Sequence, residues 1–429
     1  MRYVVRREFF GALVYDCQED TNIIVDDDFW TALQMIAQEG DRQLEEDSLV
    51  FLMEEGFLNE DYTINYRLIN SGSHGETLSA PGRVHFYYTK ACNLNCTHCF
   101  TKNSNPKYEM TYAEKISMLD QMHELGVNEI LIGGGEPFIQ KDFPNFVEES
   151  LKRGIVTKVF TNGLLLDDTL IARMKNWNLK YMSISIDGCT EEEYEFVRGV
   201  KGLEKLSETV KKLRKECQFT VAASVTVNSH NFENADKILK LIADMGFQRL
   251  KIRPVKPAGN VYQHPEVFPS AEQYVTFIKT AQRIWNQKYK DMFTLDFSWG
   301  DTRLIYREDR NIVDVLDITY PYEGYGCFAG KVNIVIDSGG NALTCGFLPD
   351  KYNLSASDNL RNKGLKKVWE SGQCFCSLRN LPGNTVCKGC QYYPICRGGC
   401  MARNLFFGLN INQVDPWCLR RYFPIQLEE

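Results

Sequence analysis

The chain has 429 residues, a formal net charge of −7 and an isoelectric point near 5.6. That length fits two or three domains, and the acidic balance argues against a nucleic-acid binder, whose footprint is basic. No apolar run is long enough to span a bilayer, and the start, MRYVVRREFF, lacks the apolar region and cleavage site of a signal peptide. A cytoplasmic location is expected, with no membrane and no nucleic-acid partner. Fifteen cysteines in a reducing compartment are read as metal ligands or structural thiols rather than disulfides.

Residues 1–70 read as a small unit. Tyr3–Arg7, Gly11–Tyr15 and Thr21–Val25 are short β-type runs, followed by amphipathic helical patterns at Asp28–Gln38 and Glu45–Glu55, with Gly56 placed to end the second. Three strands with helices suggest a winged helix. Residues 1–60 carry four basic and fifteen acidic side chains, a net of −11 that would repel a phosphate backbone. Asn70–Pro81 is a linker by composition, and a linker is placed at 71–82.

From 83 to about 260 strand and helix patterns alternate. Strand-like runs fall at Val84–Thr89, Glu129–Ile132, Thr157–Thr161, Tyr181–Ile186, Thr220–Val227 and Leu250–Arg253. Thr111 and Glu114 form a capping box that opens one helix, and Gly126 closes it. Leu203, Leu206, Val210 and Leu213 mark a buried helical stripe. So do Ala235, Ile238, Leu241, Ile242 and Met245. Six β-α units imply a parallel sheet, doubly wound or curved into a partial barrel. Residues 261–326 form a connecting region with one long helix capped by Ser270 and Gln273 and an irregular aromatic end, TYPYEGYG at 319–326. Residues 327–429, rich in cysteine, glycine and turns, have little core of their own and are expected to fold around metal.

Chemistry in a parallel β-α array collects at the carboxyl ends of the strands. After the first strand comes ACNLNCTHCF, with Cys92, Cys96 and Cys99 in a C-x3-C-x2-C spacing. Three thiolates on one loop are one short of a tetrahedral zinc site or a fully ligated [4Fe–4S] cluster, and the spacing alone suits part of either. Gly133-Gly134-Gly135-Glu136-Pro137 follows the second strand, and its glycines let a ligand approach the backbone. Thr161-Asn162-Gly163, Ser185-Ile186-Asp187-Gly188, Asn228 and Arg253-Pro254 end the next four.

In order and position these motifs resemble the radical S-adenosylmethionine (SAM) superfamily over about 85–258. The resemblance implies that Cys92, Cys96 and Cys99 hold a [4Fe–4S] cluster that binds SAM, with His98 near the adenine. It implies that Gly134, Gly135 and Glu136 take the methionyl ammonium, and that Ser185 and Arg198 hold its carboxylate. A 5′-deoxyadenosyl radical would then abstract hydrogen from a substrate.

The C-terminal cysteines Cys327, Cys345, Cys387, Cys390, Cys396, Cys400 and Cys418 resemble the seven-cysteine SPASM pattern. By that likeness Cys387, Cys390, Cys396 and Cys418 hold an outer auxiliary [4Fe–4S] cluster. Cys327, Cys345 and Cys400 hold an inner one whose fourth ligand is open, with Cys374, Cys376 or the substrate as candidates. One SPASM branch, the anaerobic sulfatase-maturing enzymes, has an aspartate after the second of these cysteines; here it is Gly346, which disfavours that branch. The N-terminal unit resembles a PqqD-like recognition element for the leader of ribosomally made, post-translationally modified peptides (RiPPs). Cys17, Cys189 and Cys217 are expected to be packing thiols.

The resemblance thus implies an α/β fold: a partial (β/α)6 radical SAM barrel between a winged-helix-like N-terminal domain and an iron–sulfur SPASM domain. The expected function is maturation of a precursor peptide, preferably by thioether formation of the sactipeptide or ranthipeptide type. Carbon–carbon or carbon–oxygen cross-linking and backbone excision are the alternatives, with a flavodoxin- or ferredoxin-type protein as electron donor. A zinc-stabilised winged-helix regulator is a distant alternative that the acidic N-terminal unit opposes.

Overall fold

The computed structural model describes residues 1–19, 21–39, 45–72, 77–101, 108–299, 302–307, 312–315, 327–353, 357–381, 384–396 and 398–423. The aromatic run at 319–326 lies outside them.

The N-terminal unit consists of β1 (Tyr3–Glu8), β2 (Gly11–Asp16), β3 (Thr21–Val25), α1 (Asp27–Glu39), α2 (Glu46–Glu54) and β4 (Tyr66–Ile69). Its sheet has the order β3-β2-β1-β4, antiparallel except for the parallel β1–β4 pair. β4 was not legible in the sequence. Gly56, at φ 79°, follows α2 as expected. Strands β1 and β2 are buried on both faces. α1 packs on β2 through a core of Val14, Trp30, Leu33 and Ile36. The other face meets the rest of the chain: Arg6 donates to the carbonyls of Pro81 (2.9 Å) and Gly126 (3.3 Å), and Glu8 accepts from the Ser79 amide at 2.7 Å. β3 is an edge strand, with Ile23 and Ile24 exposed. The segment read as a linker ends in a packed stretch, since Leu78, Ser79 and Ala80 are buried and Trp369 Nε1 donates to the Leu78 carbonyl at 2.6 Å.

The central layer runs β5 (Arg83–Thr89), α3 (Tyr112–Glu124), β6 (Glu129–Gly134), α4 (Phe143–Lys152), β7 (Val156–Thr161), α5 (Asp168–Met174), β8 (Tyr181–Ser185), α6 (Glu191–Arg198), α7 (Leu203–Glu216), β9 (Thr220–Val227), α8 (Ala235–Met245) and β10 (Arg249–Pro254). Strands β5 to β10 pair in chain order, all parallel. The capping box at Thr111 and Glu114 opens α3. The apolar stripes of α7 and α8 are buried as expected, except that Leu239 rather than Leu241 completes the α8 face. Each such side chain contributes about 1.5–3 kcal/mol on burial.

The connecting region is more regular than its composition suggests. α9 (Ala271–Lys288) begins at the Ser270/Gln273 capping box, and β11 (Thr294–Trp299) extends the sheet in parallel beside β10. Then β12 (Thr302–Arg307) and β13 (Ile312–Val315) follow antiparallel. The cysteine-rich region contributes β14 (Asn333–Ile336), parallel to β5, and β15 (Ala342–Leu343). Helices α10 (Asp350–Asn353), α12 (Gln373–Arg379), α13 (Tyr393–Cys396) and α14 (Met401–Phe406) have seven residues or fewer, and α11 (Leu360–Ser371) has twelve. Besides residues joining the main core, a satellite cluster of only five buried apolar side chains, Ala329, Leu348, Leu378, Met401 and Ala402, organises this region, with Cys327, Cys345 and Cys400 packed against it. Among the described residues no helix is long and apolar enough to cross a membrane.

Candidate functional site

Eight strands, β5 to β11 and β14, turn one face toward a single cavity of about 730 Å³. The lining alternates along the strands, as in Arg83, His85 and Tyr87 or Glu129, Leu131 and Gly133, which is the period-two pattern of strands presenting one face. At the amino ends the lining is ionic. Lys158 Nζ reaches Glu129 Oε1 at 2.6 Å, Arg249 reaches Asp296 at 2.6 Å, and Lys251 donates to the Tyr181 hydroxyl at 2.8 Å. At the carboxyl ends it becomes cysteine, glycine and amide.

The loop after β5 carries Cys92, Cys96 and Cys99, all on the cavity wall. Two neighbours shape it. The Asn260 side chain donates to the Cys96 carbonyl at 2.8 Å, and its amide donates to the Cys99 carbonyl at 2.9 Å. Gly259, at φ 67°, lies so close that a Cβ there would overlap the Cys99 carbonyl oxygen, with the Phe100 Cα at 2.7 Å. Neither residue was singled out from the sequence. Their signal is PAGNVY just after Arg253-Pro254, a glycine and an amide following a strand end.

Gly134 and Gly135 form a close-approach cradle. A Cβ on Gly134 would stand 2.7 Å from the Thr89 carbonyl oxygen, and one on Gly135 would overlap that of Ala91. Glu136 is fully buried. One carboxylate oxygen accepts from the Phe138 amide (3.2 Å) and the Thr161 hydroxyl (2.7 Å), and the other from the Asn162 amide (2.7 Å). Burial still raises its pKa to about 6, against those hydrogen bonds. One acceptor position remains, and a cationic donor there would favour the ionised form.

His98 is buried, with Nε2 3.4 Å from Asp187 and no hydrogen-bond partner at Nδ1. Burial lowers its pKa to about 4, so the ring is neutral. Arg198, at the end of α6, pairs with Asp187 and donates from Nη1 to the Cys96 sulfur at 3.6 Å, while its buried Nε has no partner. Burial works to raise the Asp187 carboxyl, but Arg198, His98 and the Thr226 amide outweigh it and hold it low. Ser185 ends β8 at the cavity wall.

Cys327, Cys345, Cys396 and Cys400 line the same cavity. Burial pushes up the thiols of Cys387 and Cys396, and Cys418 and Cys390 raise each further. Cys374 and Cys376 do not line the cavity. Cys374 is buried on α12, and the Cys376 sulfur faces the Glu370 carbonyl at 3.7 Å. Cys217 is packed in the main core, and Cys189 donates to Glu193 at 2.9 Å. The donor chemistry suits the expected cofactors, with cysteine thiols on the wall of one cavity beside a backbone cradle and unpartnered buried nitrogens of His98 and Arg198; among the described residues no three of the thiols are drawn together into a formed metal site.

Gly346, after Cys345, has no room for a side chain. A Cβ there would overlap the Tyr87 hydroxyl, with the ring Cζ at 3.2 Å. A phenol from β5 thus occupies the space beside this cysteine.

Residues 86–248 match the radical SAM superfamily, and residues 327–391 match SPASM, an iron–sulfur cluster-binding domain. The mycofactocin maturase MftC of Mycobacterium ulcerans is 28% identical over 83% of this chain and 92% of its own. A PqqA peptide cyclase of Granulibacter bethesdensis is 23% identical over 80% and 88%. Streptococcus suis SuiB, solved with S-adenosylmethionine and with its precursor peptide SuiA, superposes with TM-scores of 0.72 and 0.71. It is 16% identical, with 96% of this chain and 97% of SuiB covered. The protein therefore carries a radical SAM domain and a SPASM domain on a mixed α/β fold, and its cofactors are a [4Fe–4S] cluster with S-adenosylmethionine and auxiliary iron–sulfur clusters.

Proposed function

We propose that this protein modifies a ribosomally made precursor peptide by radical chemistry, joining a precursor cysteine sulfur to a carbon. The observation that carries the proposal is the shared cavity: Cys92, Cys96 and Cys99 face the same space as Cys327, Cys345, Cys396 and Cys400, while Cys374 and Cys376 stand outside it. Cys92, Cys96 and Cys99 hold the radical cluster, and Cys387, Cys390, Cys396 and Cys418 hold the outer auxiliary cluster. Cys327, Cys345 and Cys400 hold the inner one and leave a ligand position for a substrate thiolate.

A bound, reduced cluster with SAM would supply one-electron chemistry for hydrogen abstraction. The chain's own residues position it. Glu136 would take the methionyl ammonium, Arg198 and Ser185 would hold its carboxylate, and His98 would lie near the adenine. Gly134 and Gly135 allow close approach, and Asn260 fixes the cysteine loop. The apolar and aromatic lining, Leu131, Phe160 and Phe347, excludes stray hydrogen donors.

The N-terminal unit binds the leader as an added strand beside β3, whose edge is open. MftC is named a maturase, and SuiB was solved with a precursor peptide, SuiA. The cyclase name of the PqqA relative favours a second reading, a carbon–carbon cross-link.

Electron paramagnetic resonance separates the two. A precursor with intact cysteines should perturb the auxiliary-cluster signal, and a Cys→Ser precursor should not. If the signal ignores substrate while Cys374→Ala/Cys376→Ala destroys the inner cluster, thiolate ligation fails and the cross-link reading replaces it.

A further inference from the structure

The cavity is electropositive although the chain is not. Eight lysine and arginine side chains and three carboxylates line it, in a protein of net charge −7. The three carboxylates are engaged. Lys158 holds Glu129 at 2.6 Å with Arg83 at 3.5 Å, Arg249 holds Asp296 at 2.6 Å, and Glu136 has the amide and hydroxyl donors described above. Arg198 and Arg403 have buried partners of their own, Asp187 and Asp415.

Two cations on β10 stand apart. Among the described residues Lys251 makes no ion pair, and its hydrogen-bond partner is the Tyr181 hydroxyl at 2.8 Å. Arg253 makes neither an ion pair nor a side-chain hydrogen bond among them, and its buried Nε is unpartnered. Measured contacts join the two into one patch. Lys251 Nζ is 4.2 Å from the Tyr181 ring centre, the Tyr181 and Phe160 rings meet edge to face at 6.0 Å, and the Arg253 guanidinium is 5.7 Å from the Phe160 ring. Ser224 and Thr226, their register partners on β9, line the same cavity. Lys251 and Arg253 are two positions apart on one strand, about 7 Å along it, so both reach one small anion between them.

A buried cation without a counter-charge is costly. Burial works against the charged form of Lys251, and Tyr181 and Asp296 offset it only in part. The cysteine loop is served by another residue, since Arg198 donates to the Cys96 sulfur at 3.6 Å, whereas neither Lys251 nor Arg253 pairs with a cysteine among the described residues.

We infer that Lys251 and Arg253 bind a carboxylate of the precursor peptide inside the cavity. This rests on the peptide-modifying reading above. Near neutral pH an unmodified ribosomal peptide offers carboxylates as its standing anions, because thiols titrate near 8.5 and phenols near 10. The guanidinium can take both oxygens, and the ammonium adds a point charge. An aspartate or glutamate side chain and the peptide's own C-terminus present the same group. No bond is made or broken. The site selects by charge which part of the precursor enters the cavity.

The test uses the reconstituted full chain with SAM and three synthetic peptides, followed by titration calorimetry at low and high salt. One is N-acetyl-Gly-Cys-Gly-Gln-Gly amide, which is neutral. The second carries Glu in place of Gln, and the third is the Gln peptide with a free C-terminal acid. At least one acid should bind about tenfold or more tighter than the neutral peptide, and the one that does identifies the source of the carboxylate. The gain should persist at high salt, because buried pairs are screened little. In K251Q/R253Q the gain should vanish while the neutral peptide binds within about twofold of its wild-type affinity. R253Q alone, at a half-buried position, should lose most of the gain and carries the result if the double variant loses iron. K211Q/K215Q, on the exposed face of α7, should match wild type. Both acids within about twofold of the neutral peptide, a gain that survives K251Q/R253Q, or an equal loss in K211Q/K215Q overturns the site. If none of the three binds while dithionite still drives SAM cleavage, the peptide-modifying reading beneath it falls instead.

Discussion

Replacing Gly346 by alanine tests whether Tyr87 fills the space beside the inner cysteine set. The new Cβ would overlap the phenol oxygen and stand 3.2 Å from the ring Cζ. The ring, half-buried on β5, must swing away from Cys345 or the Cys345 loop must move. Overpacking of this kind costs about 1–3 kcal/mol. Tyr87→Phe removes the overlapping oxygen and leaves only the 3.2 Å contact, a few tenths of an ångström inside the roughly 3.5–4.0 Å optimum. In the Tyr87→Phe background, Gly346→Ala should therefore cost about 1 kcal/mol or less, giving a coupling of about 1–2 kcal/mol. Thermal melts of the reconstituted single and double variants report it as a difference in apparent Tm, with the auxiliary-cluster resonance spectrum as a second readout. Both readouts should show Gly346→Ala perturbed and the double variant restored toward Tyr87→Phe alone. Additive shifts, with the double variant below Gly346→Ala, would refute the steric argument.

Alanine at Cys92, Cys96 and Cys99 together should abolish SAM cleavage and lower iron from about twelve to about eight per chain, since each cubane holds four; metal analysis and product chromatography check both. Proline at an outward-facing amide of β3 should weaken binding of a synthetic leader peptide by about tenfold or more, by removing a donor from the added-strand interface, with SAM cleavage in the absence of peptide unchanged. SAM affinity should fall as pH drops below about 6, because Glu136 must then lose a proton to receive the ammonium, and Glu136→Gln should flatten that dependence in equilibrium dialysis. The stability linkage of Glu136 runs the other way. Its raised pKa makes the unliganded fold bind extra protons between 4.5 and about 6, a contribution present below 4.5 and lost as pH rises through about 6.

The six central β-α units were legible because each strand is a short apolar run and each helix shows its own stripe or cap, all local signals. β4, β11 and β14 were not. β14 is four residues, Asn333-Ile-Val-Ile, and its partner β5 lies some 250 positions earlier. Nothing local announces a pairing that distant, since strand preference reflects the surface a segment meets. The cysteines were readable because ligand spacing is written along the chain. Asn260 and Gly259 act on the backbone of another loop, and Asp187 acts by pairing with Arg198, so their roles exist only once the loops are brought together.

If the leader is held at β3 as proposed, the placement of the N-terminal unit makes the protein a ruler. The edge strand β3 belongs to a unit docked at the amino ends of the parallel strands, whereas the cysteine loops open at their carboxyl ends. β5, seven residues long, spans about 23 Å between the two. An extended peptide covers at most about 3.6 Å per residue, so about seven residues is the shortest run that reaches from one end to the other, and a path around the outside needs more. A precursor held at β3 would then present only residues beyond that distance, and its first modifiable position would be set by the height of the sheet rather than by the sequence around the reacting side chain.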